Sequence, residues 1–404
     1  MSAGHVGYLL LLLAPISLAV TLLTHVAVFL VLAPRRRKAV CTPPITILKP
    51  VKGADQGLYQ NLASFAAQDY PDYQLLIGAD DPLDPALEVA RRVQRDHPAA
   101  RIEVLSDARK LGLNPKVNLL SSLSDHAAHE HLLISDSNVR VGPRYLRETA
   151  AELADPRVGL VTNVIVGHGE GLGALLENLH LASFVAGAAC FARVASGRAC
   201  VIGKSMLFRR SDLDALGGWW PLRSVLAEDY VLGRSFELAG FRVAVSPYVI
   251  ATVNDGWTVE RFVNRHLRWA QMRRRLSPAA FLGELFLNPV LWIVLASLVA
   301  RDVRLFALAA FGIAVKCASD ALVLRRLGPA PRLAQILVVP FKDLLVAGIW
   351  TVGAFRRTVN WRGNRMRIEE GSRLEPVVKA SPRRLVAADV DGPVPGSPRL
   401  QEAA

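Results

Sequence analysis

Ile45-Thr46-Ile47-Leu48-Lys49-Pro50-Val51-Lys52-Gly53 decides the fold. It follows Pro43-Pro44, which breaks any preceding helix, and its first four residues read as a buried strand. Open α/β sheets hold anionic ligands beyond the carboxyl ends of their strands, so Lys49 and Lys52 are candidate nucleotide contacts. A solvated turn accounts for the same residues. Outward from this strand the chain alternates: a helix over about 57 to 67, a strand from Tyr73 to Ile77, the turn Gly78-Ala79-Asp80-Asp81-Pro82, and a helix with Asp84 as N-cap and Pro85 at its first position. Leu87, Ala90 and Val93 give that helix an apolar stripe. Arg101 to Leu105 is a third strand and leads to Asn114-Pro115-Lys116-Val117-Asn118. Further strands are expected at His131 to Ser135, Gly159 to Val166 and Cys200 to Phe208. The alternation predicts a doubly wound, mostly parallel α/β sheet.

The strand at His131 delivers Asp136-Ser137-Asn138. Residues two apart on an extended segment share a face, so Asp136 and Asn138 can offer oxygens to one cation. Mg2+ or Mn2+ prefers oxygen ligands and needs few from protein when a diphosphate supplies others. The alternative is a turn capping a helix from Pro143 to Leu153.

Acid and base meet between Ser224 and Arg275. Leu226-Ala227-Glu228-Asp229-Tyr230 sets two carboxylates at the start of a helix-like run, and Arg265-His266-Leu267-Arg268-Trp269 closes the stretch. If 261 to 275 is helical, Arg265, Arg268 and Trp269 lie at i, i+3 and i+4 on one face. A carboxylate opposite such a cationic, aromatic patch suits removal of a proton from an acceptor while a phosphate-bearing group departs. A salt-bridged helix flanking a membrane is the structural alternative.

Composition points to the bilayer. The 404 residues carry a net charge of +13, yet residues 6 to 33 contain no Asp, Glu, Lys or Arg, and Arg35-Arg36-Arg37-Lys38 follows at once. About 20 apolar residues cross a bilayer, so this reads as an uncleaved anchor with its basic end in the cytoplasm. Basic residues cluster beside apolar segments and do not alternate with stacking aromatics, which fits lipid headgroups and argues against nucleic acid. Cys41, Cys190, Cys200 and Cys317 form no CxxC pair, so neither a zinc site nor a disulfide framework is indicated. Gly173 to Ala195 is apolar but carries Glu177, Asn178, His180 and Arg193, and is expected to lie along the membrane surface with His180 at the interface. Three apolar candidates follow Pro278, at about 281 to 300, 304 to 324 and 333 to 355. The first, with Glu284, Asn288 and Pro289, is expected to be re-entrant or interfacial. The reading is a 1–40 anchor, a 41–278 catalytic domain, a 279–358 membrane region, a basic 359–373 segment and a disordered 374–404 tail.

Together these stations resemble the membrane-bound ceramide glucosyltransferases, among the inverting nucleotide-sugar glycosyltransferases of GT-A fold. The carriers are Lys49 to Gly53, Asp81-Pro82 with Asp84-Pro85-Ala86, Asn114 to Asn118, Asp136 to Val141, Ala227-Glu228-Asp229-Tyr230, Arg265 to Trp269, and Trp361-Arg362-Gly363. The resemblance covers about residues 1 to 370. It implies that Asp81 contacts the uracil or ribose of a UDP-sugar, with Lys49, Lys52 and Lys116 nearby. Asn114 and Glu228 join the same substrate-binding set. Asp136, with Asn138, holds Mg2+ or Mn2+ on the diphosphate. Asp229 becomes the general base, and Arg265, Arg268 and Trp269 secure the diphosphate and acceptor region. The expected acceptor is a membrane lipid alcohol, ceramide or a hopanoid, and the expected location is a bacterial inner membrane with a cytoplasmic catalytic domain. Phe184-Val185 departs from the His-Pro of animal ceramide enzymes, which bears on acceptor identity. The competing readings are a hopanoid N-acetylglucosaminyltransferase, a processive polysaccharide synthase and a non-catalytic nucleotide-binding scaffold.

Overall fold

A computed structural model describes residues 3–33, 41–106, 109–300, 303–361 and 364–376. The basic run Arg35 to Lys38, Arg362-Gly363 and the tail from 377 lie outside the described residues. The strand at Ile45 is formed as expected and is almost wholly buried, because it sits inside a sheet covered on both faces. Eight strands build that sheet: β1 (Ile45–Pro50), β2 (Tyr73–Gly78), β3 (Arg101–Leu105), β4 (His131–Ile134), β5 (Val139–Arg140), β6 (Val158–His168), β7 (Met206–Arg209) and β8 (Arg242–Val253). Their order is β3-β2-β1-β4-β7-β6-β8-β5. β1 to β4 run parallel, as do β6 and β8, whereas β7 is antiparallel to β4 and β6 and the short β5 is antiparallel to β8. The expected class, a mostly parallel α/β sheet of GT-A type with membrane-length helices at both ends of the chain, is the class observed.

Local chemistry fixes the elements that carry the site. Asp84 caps the helix Pro85–Asp96 by accepting from Ala86 N–H at 2.8 Å, and also accepts from Gly53 N–H at 2.9 Å. That tie holds the β1 exit against the Asp80-Asp81 turn. Asn114 caps Pro115–Asp125 in the same way. Thr258 caps the helix Val259–Leu276, whose last turn carries Arg273, Arg274 and Arg275, the sign that suits a helix C-terminus. Two apolar cores cover the sheet, one around Phe65, Ile47 and Tyr145, the other around Phe208, Phe236 and Leu120. Full burial of such a side chain stabilises by about 1.5–3 kcal/mol, so the sheet is a rigid platform.

The structure corrects several expectations. Cys200 to Ser205 is not strand, and β7 begins only at Met206, because Gly203, Lys204 and Ser205 turn their polar groups toward Asp229, Asp136 and Tyr145. The segment read as lying on the membrane surface is the helix Leu172–His180, a π turn Leu181–Val185 and the helix Ala186–Ser196, together long and apolar enough to cross. Two of its polar residues, Glu177 and His180, are buried inside the protein. The longest strand, β8, breaks its apolar run at Ser246-Pro247 and was not expected. Nor was a second sheet in the basic C-terminal segment, formed by β9 (Thr358–Trp361), β10 (Asn364–Ile368) and β11 (Leu374–Pro376), so the expected disordered tail does not begin at 374.

Among the described residues four helical stretches are long and apolar enough to cross a membrane: Leu12–Val31, Leu172–Ser196, Phe306–Leu327 and Leu333–Phe355. The expected re-entrant candidate is a bent pair, Pro278–Leu287 and Pro289–Val299, with a 67° angle between its halves. Pro289 cannot donate at the break, and Asn288 Nδ2 there donates to Asp343 O at 2.6 Å.

Candidate active site

The site lies beyond the carboxyl ends of β1 and β4. Asp136, two residues past β4, carries its carboxylate between two lysines: Lys116 Nζ is 2.9 Å from Oδ1 and Lys204 Nζ is 3.3 Å from Oδ2. Lys116 also pairs with Glu228 at 2.9 Å and donates to Gly203 O at 3.2 Å. Burial acts to raise the Asp136 pKa, but the two ammonium groups outweigh it and hold the carboxyl well below its usual range. Burial likewise opposes the charge on Lys116, yet Asp136 and Glu228 together keep it above the ordinary lysine range. For Lys204 burial wins: with Arg265 adding its repulsion, it pulls the ammonium down to about 8 despite Asp136.

Asp229 sits at the first turn of the helix Glu228–Leu238. Its Oδ2 accepts from Gly203 N–H at 2.7 Å and its Oδ1 from Tyr230 N–H at 2.8 Å. A Cβ on Gly203 would come within 2.6 Å of Oδ2, so only glycine lets this carboxylate approach the loop. Burial first, then the neighbouring Glu228, push Asp229 up to about 6. The second sheet holds this segment in place. Leu226 N–H donates to Ser372 O at 2.9 Å and Ala227 N–H to Ser372 Oγ at 3.0 Å.

The helix Val259–Leu276 brings the third component. The Arg265 guanidinium lies over Trp269, 4.5 Å from the ring centroid, and over Trp257 at 5.1 Å. It pairs with Glu177 at 3.3 Å, and Glu177 also bonds His266 Nε2 at 2.6 Å. Arg265 and Trp269 thus share a face as their spacing requires, with Arg268 on the same helix.

Other expected residues stand further back. Lys49 is fully buried beneath Asp136, donating to its carbonyl at 2.6 Å and to Ser135 Oγ at 3.1 Å, with its ammonium over the Phe65 ring. Burial depresses its pKa well below the usual value. Asn114 is also fully buried and spends its amide on the helix cap and on Val225 O at 2.6 Å. These two therefore position their neighbours. Lys52 is exposed and pairs with Asp80 at 3.6 Å, while exposed Asp81 accepts from Leu83 N–H at 2.9 Å.

Three contributors were given no role at the site from the sequence. Lys204 and Gly203 lie in an apolar run taken for a strand, but a lysine inside such a run requires a buried partner, and that requirement is the signal. Glu177 carried the same signal within its apolar helix.

Lys204 Nζ bridges Asp136 Oδ2, at 3.3 Å, and Asn138 Oδ1, at 2.7 Å. An ammonium thus occupies the place between two oxygens where a cation fits, and an all-oxygen set suits Mg2+ or Mn2+. Among the described residues no group of three or more His, Cys, Asp or Glu could hold an ion. The donor set fits only if a diphosphate contributes further oxygens.

The lysine cluster, the paired acidic motif and the Arg-Trp helix thus sit on a mostly parallel sheet flanked by helices long and apolar enough to cross a membrane. The chain belongs to glycosyl transferase family 21, whose profile matches residues 9–374. It is similar to ceramide glucosyltransferase 1 of Caenorhabditis elegans, 29% identical over 244 residues, covering 60% of this chain and 52% of that one. To the ceramide glucosyltransferase of Komagataella phaffii it is 29% identical over 205 residues, covering 44% and 40%. The chain spans about half the length of the curated relatives it matches first. Among solved structures, a mannosyltransferase from Pyrobaculum calidifontis in complex with GDP-Man and Mn2+ aligns with a TM-score of 0.47 at 19% identity, covering 85% of this chain and 96% of that one.

Proposed function

We propose that the chain transfers one hexose, glucose, from a UDP-sugar to the hydroxyl of a membrane lipid, ceramide, with inversion at the anomeric carbon. The observation that carries this reading is Asp229: a carboxylate buried enough to have its pKa raised to about 6, fixed by two backbone N–H groups, beside a lysine-rich anion site. A general base works best with a pKa near the operating pH. Asp229 takes the proton of the acceptor hydroxyl as its oxygen attacks the anomeric carbon from the side opposite the diphosphate. Lys116 and Lys204 hold the diphosphate and offset the charge it gains on leaving, and Arg265 adds a third cation stacked against Trp269. Asp81, Lys52, Glu228 and Arg268 complete the donor and acceptor contacts, with Lys49 and Asn114 fixing the groups in front of them.

Asp136 and Asn138 are the residues that would hold Mg2+ or Mn2+. A bound divalent ion withdraws charge from the diphosphate leaving group. The family and its named relatives support a glycosyltransferase acting on a lipid, and the apolar helices support a membrane location. The basic run after the first helix supports a cytoplasmic catalytic domain on a bacterial inner membrane. A hopanoid as acceptor and N-acetylglucosamine as sugar form the second reading, which the Phe184-Val185 departure from the animal ceramide enzymes leaves open.

The test is incubation of membranes holding the full chain with labelled UDP-glucose or UDP-N-acetylglucosamine and with ceramide or hopanoid acceptors. Labelled glucosylceramide with an inverted anomeric centre is expected. No labelled lipid from any pairing would refute the reading.

A further inference from the structure

The stretch Leu333–Phe355 is long and apolar enough to cross a bilayer, yet both of its ends stand on the side that holds the catalytic sheet. Before it, the helix Phe306–Leu327 closes with the Arg326 guanidinium donating to Leu32 O, and Leu327 shares one apolar cluster with Val164 of β6 and Val245 of β8. After it, the chain enters β9 almost at once, and the small sheet buries Val359, Ile368 and Leu374 with Leu226. A helix that starts and finishes on one side does not span. Its neighbour agrees. Leu345, Val346 and Ile349 join Phe262, Val263 and Leu267 of the catalytic helix in one apolar cluster, and a Cβ at Gly353 would come within 2.6 Å of Ala270. The catalytic helix carries Arg261, Arg265, Arg268 and Arg273 to Arg275, too many charges for a path through hydrocarbon. A helix packed along it shares its depth.

The two faces of this stretch are reversed relative to a helix in water. Inward lie Lys342 and Asp343, which pair at 2.7 Å and, with Lys316, His25, Ser183 and His266, line a narrow internal cavity. Outward lie Leu333, Leu337, Phe341, Leu344, Val352 and Phe355 at helical spacing, with Leu333 74%, Phe341 73% and Phe355 81% exposed. A continuous apolar stripe beside buried charge marks a lipid-facing surface.

Where the stripe ends, charge begins. Arg356 and Arg357 follow Phe355 and are exposed, as is Arg365 on the outer side of β10, whose Met366 and Ile368 face inward. Arg367 is answered by Glu369 at 3.8 Å and by Glu375, opposite it in the register. Arg356, Arg357 and Arg365 have no ion-pair partner among the described residues. Guanidinium forks match phosphate oxygens, and anionic leaflets attract such residues beside a membrane-bound helix.

We propose that Leu333–Phe355 lies along the leaflet boundary with its stripe among the acyl chains, and that Arg356, Arg357 and Arg365 hold the phosphates of anionic lipids there. A free anion would meet the same guanidiniums, but the apolar stripe beside them selects the lipid. The surface is independent of which sugar or acceptor the site takes. It reaches the site nonetheless, because the same small sheet supplies Ser372 Oγ to Ala227 N–H at 3.0 Å. Bound anionic lipid steadies the residue that precedes Glu228 and Asp229.

The experiment uses the full chain in nanodiscs of phosphatidylcholine and phosphatidylglycerol. A spin-labelled amino acid encoded at 333, 341 or 355 reports depth through collision with oxygen and with a nickel chelate. One shallow depth at all three positions is expected, and a maximum at 341 with 333 and 355 on opposite surfaces would overturn the proposal. Phosphatidylglycerol with a photoactivatable headgroup should label the segment 356–367 about tenfold more than its phosphatidylcholine counterpart. Combining Arg356→Gln, Arg357→Gln and Arg365→Gln should abolish that preference, and the three lysine replacements should restore most of it. Unchanged depth at 341 shows that the altered chain has folded. Equal labelling by the two lipids, or a preference that survives the glutamines, would refute the headgroup site. Millimolar inorganic phosphate should leave the labelling in place, and its displacement by phosphate would assign the arginines to a soluble anion instead.

Discussion

The lysine cluster at the sheet edge and the charged cavity among the helices use the same residue types to opposite ends. At the sheet edge, Lys116 and Lys204 gather around Asp136, whose side chain stays about a third exposed. In the cavity, Lys316 and Lys342 are matched one for one by Asp320 and Asp343, all nearly out of solvent. The first region keeps its ion pairs within reach of solvent and the second seals them away.

The largest expected effect breaks the catalytic half alone. Asp229→Asn keeps only one of the two backbone contacts, since its amide nitrogen cannot accept, and cannot take a proton, so transfer should fall about 1000-fold with UDP binding retained, as measured by labelled-lipid formation and calorimetry. Next comes Gly203→Ala. Its new Cβ would lie 2.6 Å from Asp229 Oδ2 and displace the carboxylate, so kcat should drop about 100-fold while the thermal transition shifts little. A third variant probes the seat between Asp136 and Asn138. Lys204→Met removes the ammonium that fills it, so Mn2+ followed by electron paramagnetic resonance should bind without nucleotide about tenfold more tightly than in the unaltered chain.

The pH profile sharpens the same contrast. Asp229 acts only when deprotonated, and its pKa is raised, so kcat should be low under acidic conditions and climb through about pH 6. That limb should be absent from the residual activity of Asp229→Asn. The smallest effect belongs to Ser372→Ala, which removes the acceptor for Ala227 N–H and should cost about 1 kcal/mol of stability in a denaturant titration, with a modest loss of kcat.

Much of the sheet was legible because its signals are local. Asp84-Pro85 caps its helix, Leu87, Ala90 and Val93 are buried, and the strand at Arg101 has the expected bounds. The order of β4, β7, β6 and β8 was not, since antiparallel insertion of β7 is decided by contacts far apart in sequence. Within the site, Asp136, Asp229 and Arg265 could be read from residue type and spacing. Lys204 could not be placed, because its role depends on a loop that brings residues 66 and 68 positions away to its ammonium. The cavity was beyond reach for the same reason: His25, Ser183 and Asp343 become neighbours only after five helical segments pack.

The small sheet formed by β9, β10 and β11 ties the far end of the described chain to the acidic loop. Ser372 fixes Leu226 and Ala227, one step ahead of Glu228 and Asp229. During synthesis, that latch arrives only after every membrane-length helix has already left the ribosome. A nascent chain therefore lacks this tie on Leu226 and Ala227 until those helices have emerged.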